Sequence, residues 1–75
     1  MTVEAAFGQV LRELRKERGF SQEALAAEAG VARNYVSLLE RGCNSVSIGV
    51  LFQFSGTLGV SASELIRRTE RKLKA

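Results

Sequence analysis

Apolar side chains recur every three or four residues through most of this chain, and the recurrence breaks at glycines. Val3, Phe7, Val10, Leu11 and Leu14 fall on one side of a 3.6-residue helix. They predict a first helix over residues 3–18, with Gly19 as its stop. Ser21 is an N-cap for a second helix, Glu23 suits its first turn, and Leu25, Ala26 and Ala29 form its apolar side up to Gly30. A third helix is predicted over 33–41, ended by Gly42, although its cap position holds Ala32. A fourth covers 47–58, with Ile48, Leu51, Phe54, Ser55 and Leu58 facing inward and Gly59 at its end. Ser61 and Glu64 then fit a capping box, S-x-x-E, opening a fifth. Ala62, Leu65, Ile66, Thr69 and Leu73 give that helix a partly apolar stripe. No segment alternates as a strand does. The expected fold is all-α: a compact five-helix bundle forming one domain over 1–75, with 67–75 a basic helix end or tail.

The segment from Ser21 to Gly42 says most about function. Two short helices joined by a glycine-containing turn make a helix-turn-helix, whose second helix can enter a DNA major groove. On that second helix Ala32, Val36 and Leu39 point together, while Asn34, Ser37 and Arg41 point away and Arg33 and Leu38 lie on the flanks. Arg33 suits guanine through O6 and N7, and Asn34 suits adenine through N6 and N7, each pair discriminating by about 1–3 kcal/mol. Ser37 can bond a base or a phosphate, and Leu38 can touch a thymine methyl. The plain alternative is an amphipathic helix with a solvated polar face.

Composition narrows the classes. Seventy-five residues leave no room for a separate catalytic or effector-binding domain, so no small-molecule effector is expected. The net charge of +3 is modest, and five of the eleven basic residues (Arg67, Arg68, Arg71, Lys72, Lys74) crowd into the last nine positions. That run fits attraction to an anionic polymer or simply a solvated helix end. One cysteine and no histidine argue against an internal disulfide, a metal site or any other cofactor. Without histidine, aspartate or a phosphate-binding glycine loop, an enzyme is not expected, and Cys43 is read as an idle surface or packed thiol. The N-terminus lacks a signal-peptide pattern, and the uncharged run 43–63 is too polar to span a membrane, so a cytoplasmic protein is expected.

The pattern F-G-x-x-L-R-x-L-R-x-x-x-G-x-S-Q-E-x-L-A-x-x-A-G-V-x-R-x-Y-V-S-x-L-E-R-G, followed by L-G-V-S-x-x-E-L-I, resembles the phage-repressor/Cro-like (XRE) helix-turn-helix family. The match runs from about Phe7 to Ile66. The resemblance implies a lambda-repressor-like five-helix domain that binds operator DNA as a dimer. It implies that Arg33, Asn34, Ser37 and Leu38 are the base-reading positions. It makes Gln22 a DNA-backbone contact that also braces the reading helix, and Arg15 with Glu40 a structural salt bridge. Asn44 and Ser45 fall where the family contacts phosphates, and Ser21, Tyr35 and Arg41 join them as backbone candidates. Ala32 replaces a frequent Ser or Thr, and Val46 a frequent proline. The run R-x-Y-V-S-x-L-E-R and the proline-free loop look more like the small controller proteins of restriction–modification systems.

A second surface is suggested by the fourth predicted helix. Gly49 and Gly56, seven residues apart, stack on its outward side with Gln53, and Phe52 borders them. With Ile66 and Leu73 of the fifth helix they form the expected homodimer contact. A two-fold dimer reads half-sites about 34 Å apart on one DNA face. The competing function is a protein-interaction or antitoxin-like module for which DNA binding is secondary.

Overall fold

The computed structural model describes residues 1–75 as five helices. They are α1 (Val3–Glu17), α2 (Gln22–Ala29), α3 (Arg33–Glu40), α4 (Ile48–Leu58) and α5 (Ala62–Lys74). Each boundary lies within a residue of the sequence expectation. The starts are set by hydroxyl caps. Thr2, Ser21, Ser47 and Ser61 each accept a hydrogen bond from the backbone N–H three residues on, at 3.0–3.2 Å. α3 is the exception: Ala32 gives it no side-chain cap. Between α2 and α3 the chain reverses at Gly30 with φ +74°, a left-handed conformation that L side chains rarely adopt.

The core is built from all five helices: Phe7, Val10, Leu11 and Leu14 of α1, Leu25, Ala26 and Ala29 of α2, Val36 and Leu39 of α3, Leu51, Phe54 and Leu58 of α4, and Leu65 of α5. α1 is central. Its Gly8 and Arg15, seven residues apart and so on one side, face α3. Its Glu13 faces the other way and binds Lys72 of α5 at 2.8 Å. Two residues of a helix rotate the side chain so that these directions lie about 160° apart. α1 therefore separates α3 from α5. One further bond ties the bundle, Arg18 Nε donating to the Leu58 carbonyl at 2.9 Å, while the buried Thr69 hydroxyl is satisfied within α5 by the Leu65 carbonyl. No helix is long and apolar enough to cross a membrane.

Three expectations fail. Val3 and Ile48 were placed inward, yet they are 59% and 70% exposed. Each sits in the first turn of its helix on the rim of an open groove, so the wheel pattern continues without burial. Ser55 is only half-buried. The capping box at α5 is half made. Ser61 caps the Glu64 N–H, but the Glu64 carboxylate turns to Arg68 at 2.9 Å and to Arg67 instead of back to the cap. Two cations on its own helix outcompete one neutral N–H for the carboxylate. The same pairs hold its pKa below the ordinary carboxylate value: the Arg68 hydrogen bond is the main cause, and partial desolvation opposes it.

Candidate nucleic-acid interface

One carboxylate organises the helix-turn-helix. Glu40, at the last turn of α3, has a side chain only 3% exposed. Its Oε2 accepts from Arg15 Nε at 2.6 Å, and its Oε1 accepts from Arg15 Nη2 at 3.0 Å and from Gln22 Nε2 at 3.1 Å. The remaining Arg15 nitrogen, Nη1, donates to the Phe20 carbonyl at 2.9 Å. One cluster thus joins α1, the turn after it, the first residue of α2 and the end of α3. The Glu40 hydrogen bond raises the Arg15 pKa above its already high ordinary value, against the lowering effect of burial. Arg15 therefore stays charged in the folded protein, and the pair is a bidentate, charge-assisted one.

A glycine completes the arrangement. A Cβ on Gly8 would lie 2.2 Å from the Leu39 carbonyl oxygen and 3.0 Å from that of Glu40. The backbones of α1 and α3 touch there, and no side chain fits between them. Gly42, with φ +73°, packs its α-carbon face against Ala5 in the same seam. Sequence reasoning assigned Gly8 no role. The available signal was a glycine inside a helix, which costs about 1 kcal/mol relative to alanine and so calls for a packing reason.

With its inner side fixed, α3 turns its first residues outward. Arg33 and Asn34 are exposed, whereas Ser37 and Leu38 are half-buried. Arg33 forms no salt bridge, and no side-chain cap covers the start of the helix. Arg33 also lines a polar cleft of about 380 Å³ with Arg15, Ser21, Gln22 and Glu23. Glu23 is an acidic rim that the sequence reading treated only as a helix-start residue. Tyr35 is half-buried, and its hydroxyl donates to the Ser45 carbonyl at 3.2 Å. The Ser45 hydroxyl donates to Glu4 at 3.0 Å, so the loop after α3 is held from both α3 and α1. Asn44 and Arg41 are exposed beside it, Arg41 reaching back to the Ser37 carbonyl at 3.4 Å. Ser21, Gln22, Arg33, Asn34, Tyr35, Arg41, Asn44 and Ser45 are therefore gathered around the starts of α2 and α3 and the loop beyond.

This is a helix-turn-helix in sequence and geometry. The chain belongs to the helix-turn-helix family, whose model matches residues 11–65. Among its relatives is the control protein C.MunI of a Mycoplasma species, 38% identical over 71 residues covering 93% of this chain and 96% of that protein. The solved restriction–modification controller protein C.AhdI from Aeromonas hydrophila superposes with a TM-score of 0.80 at 42% identity, over 83% of this chain and 94% of that one. SinR, described as a master regulator for biofilm formation and solved in complex with DNA, superposes with a TM-score of 0.77 at 41% identity, over 80% and 97% of the two chains.

The second surface is more extensive than the sequence suggested. Phe52 is 61% exposed, Ile66 and Leu73 are also exposed, and nothing lies near Gly49 or Gly56. Gln53 is exposed on the side of α4 nearer Gly30. The exposed Val3 and Ile48 join Ile66 around an apolar groove of about 210 Å³ floored by Phe7, Leu51 and Thr69. Cys43 is exposed in the loop after α3. No three His, Cys, Asp or Glu side chains come together as a metal site would require.

Proposed function

We propose that this protein is a sequence-specific DNA-binding transcriptional regulator that binds a two-fold operator as a homodimer, with α3 in the major groove. The observation that carries the proposal is the Arg15–Glu40–Gln22 cluster beneath an exposed, uncapped helix start. It holds α3 rigidly by its inner side while Arg33 and Asn34 remain free. In this reading Arg33 and Asn34 bond base edges, with Ser37 and Leu38 at closer range to the groove wall. Gln22, Ser21, Tyr35, Arg41, Asn44 and Ser45 position the backbone, which fixes register without carrying sequence. Similarity to a regulator solved on DNA and to restriction–modification controllers supports the same reading.

The dimer follows from charge as well as from surface. Residues 19–61 carry two basic and three acidic side chains, so the reading segment offers little long-range attraction to phosphate. A second reading helix supplies the missing contacts. Phe52, Ile66 and Leu73, flanked by Gly49, Gln53 and Gly56, supply the contact between copies, and Val3 and Ile48 extend it.

Selection of bound sites from random duplexes tests the proposal. It should return inverted half-sites centred about 34 Å apart. Arg33→Ala with Asn34→Ala should abolish the preference while leaving the helical content and the dimer intact. Full specific binding by that double variant would refute α3 as the reading helix, whereas failure of the wild type to select any site would support the protein-interaction module that the apolar groove favours.

A further inference from the structure

Most of the positive charge of this protein lies outside the helix-turn-helix segment. Residues 1–18 and 62–75 carry nine basic and five acidic side chains, while the segment between them is net negative. The first and last helices meet along a shallow cleft of about 240 Å³ lined by Glu13, Arg68, Arg71 and Lys72. Lys72 bridges to Glu13 and Arg68 to Glu64, whereas Arg71 has no carboxylate partner. Arg71 also belongs to a row with Arg67 and Lys74 along one side of α5 at i, i+4 and i+7, in which Arg67 is paired with Glu64. The folded protein thus keeps a cationic stripe on α5 in which Arg71 and Lys74 have no carboxylate partner.

We propose that this α1/α5 surface is a second, sequence-independent DNA-backbone site, engaging a duplex segment other than the one α3 reads. Three observations carry it. The cleft is lined by charged side chains alone. Protein interfaces centre on well-packed, desolvated pockets, which this open charged cleft does not offer, whereas non-specific DNA binding is essentially all electrostatic. The stripe spans eight residues, roughly 10 Å of helix from first to last, which places several cations along a run of phosphates. And α1 lies between α3 and α5, so at about 8–10 Å per packed pair the axis of α5 is roughly 16–20 Å from that of α3. A major groove is about 8.5 Å deep, so a duplex seated on α3 does not reach the far side of α5. The apolar Ile66 and Leu73 lie on a different side of α5 from the stripe, so a dimer formed there leaves both stripes free.

The proposal rests on operator binding by α3, and the test keeps the two apart. A selected operator duplex of about two helical turns is fixed to beads, loaded with protein, and offered a labelled duplex of unrelated sequence. The wild type should retain the second duplex. Three phosphate contacts at a slope of about 0.9 each should weaken that retention roughly fortyfold between 50 and 200 mM salt. R67Q/R71Q/K74Q changes only exposed side chains. It should bind the short operator with unchanged affinity and salt slope, yet lose most of the second duplex. Equal retention by both proteins, or none by the wild type, overturns the proposal. So does a reduced salt slope on the short operator, which would place the stripe on the read duplex itself. A protein that selects no operator fails at the earlier step and refutes the reading function instead.

Discussion

Gly8→Ala should be the most damaging small substitution in the protein, although it inserts a better helix former. The new Cβ meets the Leu39 carbonyl at 2.2 Å and the Glu40 carbonyl at 3.0 Å. Both are backbone atoms of α3, so no rotamer change relieves the clash, and α3 must move as a unit. Forcing a methyl into a packed contact costs about 1–3 kcal/mol, and a clash this deep against backbone belongs at or above the upper end. Alanine returns about 1 kcal/mol of helix propensity. The net loss is about 2 kcal/mol, or roughly 8–16 °C in Tm for a domain of this size. Gly49→Ala and Gly56→Ala are the controls, because nothing lies within 4 Å of either added methyl. Each should raise Tm by roughly 4–8 °C through propensity alone. Thermal unfolding followed by far-UV circular dichroism, at a concentration low enough to keep the protein monomeric, measures all three. A Gly8→Ala protein that melts as high as the Gly56→Ala one would refute the backbone contact. If the glycine side of α4 is the dimer contact, Gly56→Ala should also weaken dimerisation while stabilising the monomer.

Arg15→Ala should cost about 3–5 kcal/mol, because it strands the nearly inaccessible Glu40 carboxylate. Chemical denaturation should show that replacing both Arg15 and Glu40 by apolar residues of similar volume recovers most of that loss. Ala32→Ser should add about 1 kcal/mol by capping α3, read as a rise in the denaturation midpoint without a change in slope. Glu64 has a depressed folded pKa, so its pairs stabilise the protein above the unfolded carboxylate pKa and lose that contribution as pH falls through the folded one. An NMR titration should find Glu64 ionising below the ordinary glutamate value, and Arg68→Gln should move it back up.

Most of the fold was legible because its signals are local. Hydroxyl caps at Ser21 and Ser61 and a stop at Gly30 are written within three or four residues of where they act. Periodicity assigned Leu11, Leu14, Leu25, Val36, Leu39, Phe54 and Leu65 to the core for the same reason. Periodicity cannot report where an apolar face is left on the rim of an open groove. That depends on how the five helices cross, and it is why Val3 and Ile48 were misplaced. Glu64 was read as a cap partner because the motif weighs one competitor at a time, while in the fold two arginines compete for it.

The reading site divides in the same way. The exposed residues of α3 follow from the wheel, and the Arg15–Glu40 pair from resemblance. What makes α3 a usable reading helix is neither. It is eight residues long, has no side-chain cap and is bounded by loops at both ends. Isolated helices of that length are not stable in water. Its order must therefore come from its inner side: Val36 and Leu39 in the core, Glu40 held by three hydrogen bonds, and the bare backbone contact at Gly8. Those contacts join residues 18 to 32 positions apart, which no local pattern encodes. They also explain why the start of α3 can stay uncapped: the donors that would have bonded a serine are left for an anion, and the stability they forgo is supplied from behind.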